Sequence, residues 1–170
     1  MRLFFALQPD DAVRDALSSL ALDVAAAARG RPIARDNLHL TLFFLGEQPA
    51  ERAERLWSAA NALDATACTL ALDHIGTFRG SGVAWIGSSA RVDALFALQA
   101  RLTDALATEG IAREDRPWSP HVTLARSVRA RFERPLDAPI EWHVRRLALM
   151  LSETRAGGAR YRELGARVLT

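Results

Sequence analysis

Lysine is absent from this chain: every one of its 22 basic residues is arginine. That excludes chemistry run through a lysine amine, including a nucleotide-charged lysine, a Schiff base and the lysine of a Walker phosphate loop. Cysteine is nearly absent too. Cys68 alone cannot form an internal disulfide, which fits a reducing compartment and an expected cytoplasmic location. No apolar run approaches the ~20 residues of a membrane helix, so no membrane partner is expected. The run Leu3 to Leu7 is too short for the core of a secretion signal, and Gln8-Pro9-Asp10-Asp11 cuts it off at once.

What is present describes a folded domain. Hydrophobic residues make up 49% of 170 positions and charged residues 25%, enough apolar material for a single core and far from a disordered composition. No linker or low-complexity tract divides the chain, so residues 1–170 are expected to form one domain built as two lobes. Net charge is only +2, but it is unevenly spread: residues 1–110 carry 10 arginines against 13 acids, and residues 111–170 carry 12 against 7. The C-terminal part is therefore the one suited to face an anionic ligand.

Periodicity predicts an α+β fold in which strands outnumber helices. Arg2–Leu7 reads as a buried strand. Asp10 or Asp11 caps a helix to about Ala28, with Val13, Leu17, Leu20 and Val24 at helical spacing and Gly30 and Pro32 ending it. Further helices are expected at Pro49–Leu63 and Val92–Thr108. Strands are expected at Asn37–Leu45, Cys68–Phe78, Val83–Ile86, Ser119–Ala125, Ile140–Leu151 and Tyr161–Leu169. The Arg/Pro-rich stretch 129–139 reads as a surface loop.

One pattern repeats. His39-Leu40-Thr41-Leu42 recurs 82 residues later as His121-Val122-Thr123-Leu124, each copy following a helix and sitting in a strand. Side chains alternate along a strand, so each copy presents an imidazole and a hydroxyl on one face and anchors the other face in a core. Two such strands side by side would aim two histidines and two threonines into one cavity. Arg126, closing the second strand, is expected to face the same cavity. Hydrolysing a phosphodiester needs a group to take a proton from water, another to give one to the departing alkoxide, and donors for the charged phosphoryl oxygens. Two imidazoles, titrating near neutrality, with Thr41, Thr123 and Arg126 around them meet that need without a metal or other cofactor. Which histidine is acid and which is base the pattern leaves open.

The competing readings are simpler ones. A single such motif could be a core strand with a satisfied histidine, and two histidines lack a third zinc ligand at persuasive spacing. Trp118, close to His121, could line the cleft for an RNA base or merely pack. Phe5, Phe43, Trp57, Trp85 and Trp142 read as packing, Tyr161 as packing within reach of the site, and Cys68 as a small buried apolar residue.

The runs Met1-Arg2-Leu3-Phe4-Phe5-Ala6-Leu7, Asn37 to Glu47 and Arg116 to Arg126, with Gly157-Gly158-Ala159-Arg160-Tyr161 near the end, resemble the two-histidine phosphoesterase superfamily, in its RNA 2′,3′-cyclic phosphodiesterase (2′-5′ RNA ligase) branch. The resemblance implies a bilobal fold with pseudo-two-fold symmetric lobes, each an antiparallel sheet packed by helices, around a central cleft. It also implies His39 as proton donor, His121 as proton acceptor and a 2′-phosphomonoester product. The implied partner is RNA ending in a 2′,3′-cyclic phosphate, or a cyclic nucleotide, acted on by a monomer and with reversible 2′-5′ ligation as a companion reaction. Relatives tend to carry a basic residue before the Val-x-Trp strand, where this chain has Ser81-Gly82; Arg79 is the substitute at hand. A non-catalytic module that grips RNA ends, or a phosphodiesterase for another small cyclic or 2′-5′-linked nucleotide, would need the same cleft.

Overall fold

The computed structural model describes residues 1–155 and 158–170; Gly157, part of the C-terminal run quoted above, lies outside them. Strand β1 (Arg2–Leu7) is followed by helix α1 (Asp11–Ala28), a two-residue strand β2 (Arg31–Pro32) and the first motif strand β3 (Leu40–Glu47). Helix α2 (Ala53–Asn61) leads to β4 (Cys68–Thr77) and β5 (Val83–Gly87). Helix α3 (Asp93–Thr108) then precedes the second motif strand β6 (Val122–Arg126), and β7 (Glu133–Val144), β8 (Arg146–Arg155) and β9 (Gly158–Val168) complete the chain.

Every pairing among the described strands is antiparallel. The order β7-β4-β5-β6-β3-β1-β8-β9 consists of two four-stranded halves joined at β3–β6, where a single residue pair, Leu40 opposite Val122, makes the contact. The two lobes are thus the halves of one splayed sheet. The repeat seen in the sequence has a structural counterpart: β1-α1-β3 and β5-α3-β6 each run strand, helix, motif strand, with the two strands paired.

The helices cover the outer face crosswise. α1 packs on β6 and β7 of the opposite half, and α3 packs on β3. Leu3, Phe5 and Leu7 from β1, Leu17 from α1, Leu102 and Leu106 from α3, and Leu40, Leu42, Val122 and Leu124 from the motif strands form one core between sheet and helices. Burial of these side chains, at roughly 1.5–3 kcal/mol each, is what holds both motif strands to a fixed backbone. On the other face of the sheet a small cluster of Phe4, Ala6, Ala148 and Met150 packs under Tyr161.

Asp10 does cap α1, its carboxylate accepting the Val13 N–H at 2.9 Å. The left-handed residue ending the helix is Arg29 (φ 52°), not Gly30. Gly30 is required for space: a Cβ there would lie 2.5 Å from Val128 Cγ1 and 2.9 Å from the Arg126 carbonyl oxygen. The expected helix over Pro49–Leu63 is shorter, a 3₁₀ turn at Ala50–Arg52 followed by α2.

Two expectations fail in one place. Ile140–Leu151 is not one strand: the chain leaves β7 at Val144 and enters β8 at Arg146, passing between opposite halves of the sheet. The stretch 129–139 is not all loop either, since Glu133 to Pro139 belong to β7. Because β7 is an edge strand, Pro135 and Pro139 are tolerated with no ladder hydrogen bond to lose on the open side.

Candidate active site

The Leu40–Val122 pair sets the geometry of the repeated motif. Both side chains are fully buried, so their neighbours His39, Thr41, His121 and Thr123 turn to the opposite, cleft-lining face. His39 and His121 each stand one residue before their strand, and continuing the register of the Leu40–Val122 pair sets His39 across from Thr123 and Thr41 across from His121, with the two histidines on the diagonal. Diagonal neighbours on a regular ladder stand about 7–8 Å apart, their Cβ atoms somewhat closer, and the charge of His121 is felt at His39, opposing its protonation. The sequence reading brought these four residues together, and the register does the same.

Arg126 reaches the cleft by a less direct route. It follows Thr123 by three positions, so strict alternation would point it away. A β-bulge corrects the phase: Trp85 pairs with Thr123 and Ala84 with Ala125, leaving Leu124 as the extra residue. β3 is built the same way, since Ala6 pairs with Thr41 and Phe5 with Phe43, leaving Leu42 extra. The last residue of each repeat is therefore the bulge, and the residue three past each threonine returns to the cleft. In one half it is Arg126, in the other Phe44, a phenylalanine 57% exposed. The Arg126 guanidinium has no hydrogen-bond or ion-pair partner among the described residues, and its charge opposes protonation of both imidazoles.

Each histidine is oriented by its own backbone. Nδ1 of His39 is 2.7 Å from the Asn37 carbonyl oxygen, and Nδ1 of His121 is 2.8 Å from that of Ser119. A carbonyl only accepts, so both Nδ1 atoms carry the proton and both Nε2 atoms present a lone pair when the ring is neutral. The two then differ. The Thr41 hydroxyl sits 3.0 Å from Nε2 of His39 and donates to it, while no hydroxyl among the described residues reaches Nε2 of His121. Burial, opposed by the Asn37 hydrogen bond and helped by the charges of His121, Arg126 and Arg14, pushes His39 down from 6.5 to about 4. Burial also lowers His121, against the pull of the Ser119 carbonyl.

Several supporting residues surround the pair, and of these only Tyr161 was named from the sequence. Phe4 (ring centroids 4.9 Å apart) and Tyr161 (edge-on, 5.2 Å) pack against His39, so Tyr161 reaches the site while packing. Phe78 meets His121 edge-on at 4.9 Å. Arg14 ties down the loop before His39, donating to the carbonyls of Arg35 and Leu38 at 3.3 Å. Asn37 anchors the same loop to β9 through the Ala159 carbonyl, 2.8 Å away. Nothing in an isolated arginine on an amphipathic helix signals such a role, but Asn37 sits inside the first motif run.

A cavity of about 750 Å³ opens from one side of the four-residue square. It touches Thr41 and His121, but His39, Thr123 and Arg126 lie outside its lining. Trp118 is in its wall, with its indole N–H donated to the Thr41 carbonyl at 3.1 Å. Arg79 lines it as well. Phe5 and Phe43 are buried in the core as expected, and Trp57 packs over Gly165. His74 stacks on Trp85, the strand partner of Thr123, and lies 3.6 Å from the Glu133 carboxylate, while His143 approaches Thr69. Among the described residues no group of three or more His, Cys, Asp or Glu could hold a metal ion, and no helix is long and apolar enough to cross a membrane.

The pattern that defines the 2′-5′ RNA ligase superfamily matches residues 9–156 of this sequence. The chain belongs to that superfamily. Within it, the Escherichia coli (strain K12) RNA 2′,3′-cyclic phosphodiesterase is 33% identical, over 99% of this chain and 97% of its own length. The Thermus thermophilus protein of the same name is 30% identical, over 95% of this chain and 86% of its own. The crystal structure of E. coli LigT complexed with 3′-AMP superimposes with a TM-score of 0.89 at 34% identity, covering 99% of this chain and 98% of that one. Superfamily membership accounts for the α+β architecture.

Proposed function

We propose that this protein hydrolyses the 2′,3′-cyclic phosphodiester at RNA ends to a 2′-phosphomonoester, with His121 as proton acceptor and His39 as proton donor. Relatives named for that activity, similar over nearly the whole chain, support the reaction. The observation that carries the assignment of roles is the unequal surroundings of two otherwise equivalent imidazoles. His121 has a free Nε2 lone pair and suits a base that takes the proton of water as its oxygen attacks phosphorus. The P–O3′ bond breaks on the far side, and His39 delivers its Nε2 proton to the leaving O3′. Neutral before substrate arrives, His39 gains its proton when the anionic phosphate enters and opposes the desolvation that keeps the ring uncharged. The Thr41 hydroxyl, released from Nε2 by that proton, turns to a non-bridging oxygen. Thr123 donates to another, and Arg126 supplies charge to the same group. Both motifs come from one chain, so a monomer holds a complete cleft.

Incubation with 2′,3′-cyclic AMP in excess chelator, with the product resolved as 2′-AMP or 3′-AMP, tests the proposal. The expected product is 2′-AMP, formed at an undiminished rate in chelator. His39→Ala and His121→Ala should each slow turnover by about 10²–10⁴-fold. Binding of the nucleotide without turnover would instead make the protein a module that grips RNA ends.

A further inference from the structure

We infer that Arg31 binds the phosphate on the 5′ oxygen of the cyclic-phosphate nucleotide, the group that joins it to the rest of a strand, and so makes the enzyme prefer strand ends to free cyclic nucleotides. The inference rests on the proposed roles of the two histidines. O3′ leaves phosphorus but stays on its ribose, so the ribose and everything attached to it lie on the His39 side of the cleft. In the sheet that is the side on which β6 meets β3 and β2, opposite the side on which it meets β5. β3 touches β6 through one residue pair only. Further along, β2 takes over that edge, and its two residues pair with β6 alone.

Arg31 stands directly opposite Arg126 in that short ladder. Residues directly opposite each other share a face of the sheet, so a second guanidinium stands beside the one proposed for the reacting phosphoryl group. Gly30 permits the close approach, since a Cβ there would lie 2.9 Å from the Arg126 carbonyl oxygen. Like charges directly opposite on a sheet are unfavourable, and nothing within the protein offsets this pair: among the described residues neither arginine has an acidic partner. Asp11, Asp15 and Asp36, acids that precede the first motif, are held by Arg35. What Arg31 does have is a fixed position with its charge intact, because Nη2 donates to the Ser127 hydroxyl at 3.2 Å. Ser127 adopts left-handed backbone (φ 56°), a conformation costly for serine, and in it the hydroxyl is within reach of Arg31. Two guanidinium forks on strands about 5 Å apart suit two phosphates of one chain. A free 2′,3′-cyclic nucleotide carries only the first of them.

The test compares hydrolysis of 2′,3′-cyclic AMP, of the same nucleotide carrying a 5′-phosphate, and of the dinucleotide ApA ending in a 2′,3′-cyclic phosphate. Both 5′-substituted substrates should show a KM about tenfold or more below that of cyclic AMP, a gain that shrinks as salt is raised. Arg31→Gln should bring the KM values together, and Arg31→Lys should keep part of the gain, a point charge replacing the fork. The readout is a ratio within each variant, so a smaller folded fraction does not alter it. Equal KM values in the wild type overturn the inference, and so does a gain that survives Arg31→Gln. Its loss in Arg79→Gln instead would place the strand along the cavity beside His121. A gain confined to the dinucleotide would trace it to the second nucleoside and not to the phosphate, which overturns the inference as well. An enzyme that hydrolyses none of these substrates would strike at the proposed function itself.

Discussion

Lowering the pH perturbs His39 in a way that can be worked through from its surroundings. The ring is desolvated and shares its cleft with Arg126, and its value falls from 6.5 to about 4. At about 1.4 kcal/mol per unit of pKa, that distance corresponds to about 3 kcal/mol. The unfolded chain binds this proton more tightly than the folded one. Stability is therefore complete above pH 6.5, falls as pH drops through 6.5 and levels off below about 4. By about pH 5, where most surface carboxylates are still ionised, about 2 kcal/mol of the total is lost. Urea unfolding of the wild type and His39→Gln at about pH 7.5 and pH 5 isolates the effect, because the other titrating groups cancel in the difference. The wild type should lose about 2 kcal/mol more than the variant, and the His39 ring should titrate well below its ordinary value by NMR. Inorganic phosphate, placing an anion between the rings, should shrink the loss by raising the ring's value. A stability difference that does not change with pH, or a ring titrating at the ordinary histidine value of about 6.5, would refute the account of a neutral, desolvated histidine awaiting its substrate's charge.

Other consequences are read with simpler assays. Thr123→Val removes the hydroxyl proposed to donate to a phosphoryl oxygen without altering side-chain shape, and should lower kcat by about 10²-fold or more with fold and Tm preserved. Arg126→Gln removes a charge that disfavours both imidazolium forms, so the pH profile of kcat/KM should move to higher pH as its height falls; a drop without that shift would mean Arg126 does not act on the imidazoles electrostatically. Leu40→Ala opens a hole where the two halves of the sheet meet and should cost about 2–5 kcal/mol in urea unfolding. It should also depress activity below the loss expected from stability, since Leu40 lies between His39 and Thr41.

How legible the molecule was in its sequence depended on how local each signal is. β1, α1 with its Asp10 cap, α3 and the paired motif came from periodicity and repetition within a few residues. The junction at Arg145 was missed because apolar residues resume directly after Arg145-Arg146, so the two strands run together as one apolar segment. The clue was a change of phase: the main core takes Trp142 and Val144 at even positions and Leu147, Leu149 and Leu151 at odd ones, while Ala148 and Met150 turn to the opposite face. β7 was masked by its prolines, which an edge strand accommodates. The bulges at Leu42 and Leu124 left a trace of their own, two buried residues in succession, Leu42-Phe43 and Leu124-Ala125, but a continuous apolar run has the same appearance. Phe4, Phe78 and Arg14 join the site only through strand pairing and helix packing, which no local window contains.

Two repeats on one frame would by themselves give two equivalent histidines, and equivalent groups cannot divide the work of acid and base. The frame supplies the symmetry: identical Nδ1 contacts two residues back, identical bulges after the threonine, a shared buried pair between the strands. The departures supply the chemistry. Thr41 covers the Nε2 lone pair of His39, the Nε2 of His121 stays open, and the equivalent cleft positions hold Phe44 in one half and Arg126 in the other. Environments that separate two like groups are how one site comes to run proton transfer in both directions at once. Exchanging a single departure should therefore weaken the division without dismantling the cleft. Thr41→Val uncovers the His39 lone pair and should make the two rings titrate more alike, narrowing the pH profile of kcat/KM toward a single value. An unchanged profile in that variant would place the origin of the asymmetry in burial alone.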